Sequence, residues 1–145
     1  MGFLGNLFGN RQREREVLEG FATVFPKARG LLGMPRTEAE AALRTMFDRV
    51  SDEGGIQPLP GTWAWWWEAN SGLKVILSEN LTMYVDSFQI WFPDEFGGLY
   101  VISSKKSDGL IETRISKDYD RPLTRSGLRV GQAIADATGF PFWKD

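Results

Sequence analysis

The run Thr62 to Glu68 reads Thr-Trp-Ala-Trp-Trp-Trp-Glu, and its alternation predicts a β-strand. A period of two places Trp63, Trp65 and Trp67 on one face and Ala64, Trp66 and Glu68 on the other. Burying one aromatic ring removes roughly 150–250 Å² from water, worth about 4–6 kcal/mol. The face with three rings is therefore expected to be core. Further strands are predicted at 73–78, 81–85, 88–92, 99–104 and 110–116. Turns fall at Asn70–Gly72, Glu79–Asn80 and Asp86–Ser87, with a longer loop at Pro93–Gly98. Such short connections imply an antiparallel meander over 62–116.

Helical periods flank this meander. Val17, Leu18, Phe21, Ala22 and Phe25 share one face of a helix predicted over 11–25, which Pro26 is expected to stop. Thr37 and Glu40 have the spacing of a capping box, opening a second helix over 38–51 with Leu43 and Met46 inward. A third is predicted over 125–138, capped by Thr124 and stopped by Gly139 and Pro141, with Leu128, Ile134 and Ala135 inward. Pro58, Pro60 and Gly61 read as a rigid linker. The expected fold class is α+β: two N-terminal helices, an antiparallel meander of about six strands, and a C-terminal helix packed on it. Residues 11–145 form one domain, and 1–10 form a flexible or amphipathic arm. A meander closed by one helix resembles pleckstrin-homology-like half-barrels in architecture, a resemblance that implies no function.

Composition narrows the function. The chain has neither histidine nor cysteine, which removes the commonest general base, thiol nucleophiles, disulfides and zinc ribbons. Its net charge of −2 argues against nucleic acid as a partner, because that binding needs a basic footprint. Apolar residues make up 42%, enough for a folded core. No apolar run approaches the roughly 20 residues of a membrane span. Residues 1–10 do not read as a secretory signal, so the cytoplasm is the expected compartment.

The candidate chemistry is that of recognition rather than catalysis, with no cofactor and no metal site expected. The sheet face opposite the core carries Trp66, Glu68, Lys74, Ile76, Tyr84, Gln89 and Trp91, with Glu112 and Arg114 further along. Aromatic rings ringed by charge have the composition of a protein-binding surface. Trp66, Tyr84, Trp91, Lys74, Glu112 and Arg114 are its candidate binding residues. The competing expectation is that the N-terminal helices cover this face, and the balance leans slightly that way because large apolar patches are rare on monomers. Phe3, Leu4, Leu7 and Phe8 fall on one helical stripe ahead of Arg11, Arg13 and Arg15, the pattern of a weak peripheral membrane or partner contact. Asp94 with Glu95 and Asp118 with Asp120 read as solvated loop charge, and Ser103 to Lys106 as a solvated hairpin tip. The leading expectation is a non-catalytic module that binds another protein, such as an inhibitor, immunity-type protein or assembly factor. Small-ligand or lipid-surface binding is the alternative, and an enzyme using carboxylates comes third.

Overall fold

Helices and strands follow the order α1 (Phe3–Arg29), α2 (Arg36–Arg49), β1 (Ile56–Pro58), β2 (Ala64–Glu68), β3 (Lys74–Asn80), β4 (Val85–Trp91), a 3-10 turn (Asp94–Phe96), β5 (Leu99–Lys105), β6 (Ile111–Lys117) and α3 (Arg125–Thr138). The computed structural model describes residues 3–49, 54–59, 64–80 and 85–145, with side chains from 11 onward except at 48–49, 79–80 and 85–86. The six strands pair in sequence order, each antiparallel to the next, so the fold is α+β with one meander sheet. No helix among the described residues is long and apolar enough to cross a membrane.

Trp65, Trp67, Val75, Leu77, Phe88, Ile90 and Phe92 are all buried, as the alternation predicts. Leu99, Val101 and Ile115 carry the same face across β5 and β6. All three helices pack here. Val17, Phe21, Val24 and Ala28 of α1, Leu43 of α2, and Val130 and Ile134 of α3 join these strand residues in one core cluster. Phe21 stacks on Phe92 at 6.0 Å, and Phe25 meets Phe88 and Phe140, both at 5.7 Å. The guanidinium of Arg44 lies 5.3 Å from the Trp65 ring centroid, roofing the ring from α2.

Several expected boundaries move. Pro26 lies within α1, which runs on to Arg29. Pro26 and Ala22 are both exposed, so the Ala22 carbonyl that loses its intrahelical donor faces water. For the same reason Ala22 is not a core residue; Val24 and Ala28 take that place. Phe3, Leu4, Leu7 and Phe8 lie in the first turns of this helix. The capping box at Thr37 does not form. Helix α2 begins at Arg36, where the Pro35 carbonyl accepts from Ala39 N at 2.9 Å, and Glu40 instead accepts from Arg36 Nε at 2.9 Å. Pro58 is not in a linker: Ile56–Pro58 pairs with Trp65–Trp67 as an edge strand, a place where a missing N–H is tolerated.

The β3–β4 hairpin also differs from expectation. Glu79, Asn80, Asp86 and Ser87 are not turns but paired strand residues, with Ser78 opposite Ser87 and Glu79 opposite Asp86. The Ser78 and Ser87 hydroxyls are 3.1 Å apart, so polar residues pair with one another across the strands. Leu81, Thr82, Met83 and Tyr84, expected in a separate strand, lie outside the described residues, as does Trp63. Six strands are described: β1 is gained, and Val85 belongs to β4 together with Phe88–Trp91.

Helix α3 is capped as expected: the Thr124 hydroxyl accepts from Gly127 N at 3.1 Å, and Gly139 closes the far end at φ 79°. Leu128 is exposed rather than inward, and Val130 is the fully buried residue. The glycines set the approach. A Cβ on Gly127 would sit 2.1 Å from the Phe96 carbonyl oxygen, and one on Gly131 would sit 2.3 Å from the Phe142 ring. The small-residue stripe thus seats α3 against the 3-10 turn and the C-terminal segment. That segment is pinned to β6 by Ile115 N donating to Pro141 O at 2.9 Å and Trp143 N donating to Ile115 O at 2.8 Å. A buried carboxylate, Glu14, joins α1 to α3 through Arg129, whose Nε donates to it at 2.6 Å. That hydrogen bond raises the Arg129 pKa above its ordinary value, with partial offset from burial.

Trp65→Ala should lower stability by about 3–5 kcal/mol through lost burial and a residual cavity. An unchanged denaturation midpoint would overturn the assignment of the core face. Gly127→Ala should cost about 2 kcal/mol or more despite the better helix propensity of alanine, because the atom in its way is backbone. A midpoint raised by the substitution would show that α3 can withdraw from the 3-10 turn freely.

Candidate functional site

With every helix on one face, the other face of the sheet is left open among the described residues. Strand pairing lays its side chains out in rows. The central row runs Gln57, Trp66, Ile76, Gln89, Ile102 and Arg114. Beside it run Glu68, Lys74, Trp91, Tyr100 and Ser116. On the other side run Ala64, Ser78, Ser87, Ser104 and Glu112. Trp66, Ile76, Trp91, Tyr100, Ile102 and Arg114 are all half-buried, and Lys74 and Glu112 are exposed.

Five of the six expected binding residues therefore share one surface: Trp66, Lys74, Trp91, Glu112 and Arg114. Tyr84 lies outside the described residues. The five do not touch as one cluster. Trp66 on β2 and Arg114 on β6 are four strands apart, about 19 Å at the usual strand spacing. They belong to two patches with Ile76, Gln89 and Ile102 between them.

The first patch centres on Trp91. Its ring stacks on Tyr100 with centroids 4.3 Å apart and planes 19° from parallel. Trp91 Nε1 donates to Gln89 Oε1 at 2.8 Å, which satisfies the indole without water. The Arg121 guanidinium lies 5.9 Å from the Trp91 centroid. Arg121 is held by Asp94 at 2.7 Å and Asp118 at 3.3 Å. Its pKa is raised chiefly by the hydrogen bond to Asp94, against an opposing effect of burial, with Asp118 adding to the rise. Glu95 accepts from Arg13 on α1. The loop acids Asp94, Glu95 and Asp118 thus pair with arginines while staying at the surface, the Asp94 side chain at 95% exposure.

The second patch lies at the β6 end. Phe142 bridges Ile115 in parallel, so Pro141 continues the central row beyond Arg114 and Trp143 continues the row of Ser116, both turned to the outer face. The Arg114 guanidinium sits 4.6 Å from the Trp143 ring centroid. Lys106 and Glu112 pair loosely at 3.8 Å on the rim. Ser103 is not part of a solvated tip: it is fully buried on the core face and shares a 2.7 Å hydrogen bond with Thr113. Ser104, its neighbour, faces outward. No nucleophile–base arrangement results.

Local pattern alone does not mark Tyr100, Trp143 and Arg121 as site residues. The register of the β4–β5 hairpin places Tyr100 opposite Trp91, a signal readable once Pro93–Gly98 is recognised as the connecting loop. Trp143 joins the face only through the return of the chain after α3, which no local pattern encodes.

Labelling the tryptophans with 5-fluorotryptophan should separate the two faces in the intact protein. The Trp143 resonance, from a residue 56% exposed, should show a large H₂O-to-D₂O solvent shift, and Trp65 and Trp67 almost none. Comparable shifts for Trp65 and Trp143 would overturn the assignment of inner and outer faces.

Compared with known protein families, curated proteins and solved structures, the chain has no match in any of the three.

Proposed function

We propose that the protein is a non-catalytic binding module that engages another protein through the open face of its sheet. The observation that carries this reading is one-sided packing: α1, α2 and α3 all join the core on the Trp65 face, and the opposite face keeps Trp66, Trp91, Tyr100 and Trp143 at or near the surface. Aromatic residues and arginine are the side chains in which interface energy concentrates, often about 2 kcal/mol or more each. Two features favour a protein over a small molecule. The aromatic residues are spread across the width of a sheet rather than gathered in a deep cavity. Lys74, Glu112 and Arg121 give the surface a mixed-charge rim of the kind that sets register between proteins. A binding role also accords with a chain that has no histidine and no cysteine, and whose loop carboxylates are engaged by arginines.

The test is site-specific photocrosslinking in cells that make the protein. A photoreactive side chain at Ile76, in the middle of the open face, should give a discrete protein adduct. The same group at Leu128, exposed on α3, should give none. Trp66→Ala should abolish the Ile76 adduct while the thermal midpoint stays within a few degrees. An adduct from Leu128 with none from Ile76 would place the partner elsewhere and overturn the reading.

A further inference from the structure

The open face repeats its chemistry on the two sides of β4. In the central row Gln89 stands between two isoleucines, Ile76 on β3 and Ile102 on β5. One row along, Ser87 stands between two serines, Ser78 and Ser104. Further out, Trp66 on β2 and Arg114 on β6 lie at equal distances from Gln89. With β1 closing one flank and the C-terminal segment the other, β4 is the middle of seven extended segments.

A surface that pairs with a copy of itself needs this layout. Consider a two-fold axis that lies between two facing sheets and runs parallel to β4. It sets β4 on its twin, β3 on the β5 of the second copy, and β2 on its β6. Ile76 then meets Ile102 and Ser78 meets Ser104, each contact made twice. Gln89 meets Gln89. Its oxygen already accepts from Trp91, which leaves its amide N–H groups to donate to the twin's oxygen. Arg114 pairs with no carboxylate among the described residues, and its guanidinium lies against the Trp143 ring. In the pair its other side gains the second copy's Trp66, with Glu68 two residues along the same strand.

Charge selects this axis. Glu68, Lys74, Glu112 and Arg114 face Ser116, Tyr100, Ala64 and Trp66 in turn, so no like charges oppose one another. The other in-plane axis, across the strands, lays Arg114 on Arg114, a repulsive contact. The offset of about 30° between aligned sheets moves facing residues little near the axis and by about one residue at β2 and β6. The area is sufficient. Strands β3 to β6 each have seven residues, and at ordinary strand spacings the face measures roughly 600 Å² in plan. Two copies therefore bury about 1,200 Å² before side-chain relief is added, where stable interfaces begin.

We propose that the occupant of the open face is a second copy of this chain, in a face-to-face dimer whose two-fold axis runs along β4. The inference rests on the open face being a protein-binding surface, and it names the protein that binds there.

The test uses the full chain. Sedimentation equilibrium at micromolar concentration should return twice the mass of the chain. Ile76→Lys should weaken self-association by about tenfold or more while the thermal midpoint stays within a few degrees. The chain has no cysteine of its own, so introduced cysteines report the register. A mixture of Ser78→Cys and Ser104→Cys chains should be cross-linked by dibromobimane, and neither variant should cross-link to itself. Exchange of a hydroxyl for a thiol is a small change, so this arm holds even if Ile76→Lys does not fold. A chain that stays monomeric at submillimolar concentration would overturn the dimer, and a dimer whose mixed cysteines do not cross-link would overturn its axis. The Ile76 photoadduct should have twice the chain mass. An Ile76 adduct of any other mass would overturn the second copy and leave the wider reading standing. Absence of any Ile76 adduct would remove the wider reading and this inference with it.

Discussion

One-sided burial organises this protein. A six-stranded antiparallel sheet has two faces, and three helices are enough to cover one of them well. The choice of face is made by aromatic mass. Trp65 and Trp67 pair with Leu77 and Val75, and those pair in turn with Phe88 and Ile90, so a continuous apolar band crosses the first strands. Any helix landing on this band removes far more apolar area from water than it could on the opposite face, where Lys74, Gln89 and Glu112 interrupt the rings. Helices α1 and α2 therefore have no reason to divide between the faces. The open surface is a consequence of the core, and the candidate site inherits its rigidity from the strands that build that core.

The edges of the sheet are handled differently. At one side β1 is three residues long and ends in proline, two features that discourage further pairing. At the other side the chain returns after α3 and pins itself beside Ile115. This return depends on glycine at 131, since any larger residue would displace the Phe142 ring that carries the segment in from the helix. The same device that protects one part of β6 places Trp143 on the open face next to Arg114. Closure of the C-terminus and construction of the second aromatic patch are thus one structural event.

The fold is legible in the sequence where a period is strong and local. The alternation of 64–68 with its neighbours fixes the core face, and Thr124, Gly139 and Pro141 mark α3. Expectation and structure part where propensity and tertiary context disagree. Pro26 is a helix breaker in isolation, but its unsatisfied carbonyl partner faces water, and Val24 and Ala28 hold the helix together across it. Glu79, Asn80, Asp86 and Ser87 have turn chemistry, yet they sit opposite one another and satisfy a strand pairing instead. Thr37 and Glu40 have capping spacing, but Pro35 already fixes the first turn. The site is legible in its residue types and its facing. Whether α1 and α2 cover that face is not, since both candidate faces carry tryptophan, and only packing of the whole chain decides between them.

The open face then has a division of labour that follows from how its rings are held. Trp91 is fully committed: stacked on Tyr100, hydrogen-bonded to Gln89 and overlain by Arg121, it can offer a rigid plane but no further donor. Arg114 is uncommitted: it is fixed in place by Trp143, and its buried Nε lacks an acceptor. A partner spanning both patches would meet a preformed apolar platform at one end and a directional charge at the other. Ordering either costs little conformational entropy, because the strands beneath are the most deeply buried part of the molecule. The platform favours area and the arginine favours register, and the sheet between them holds the two at a fixed separation. Specificity on this surface would therefore depend on matching that separation, a requirement that neither patch could impose alone.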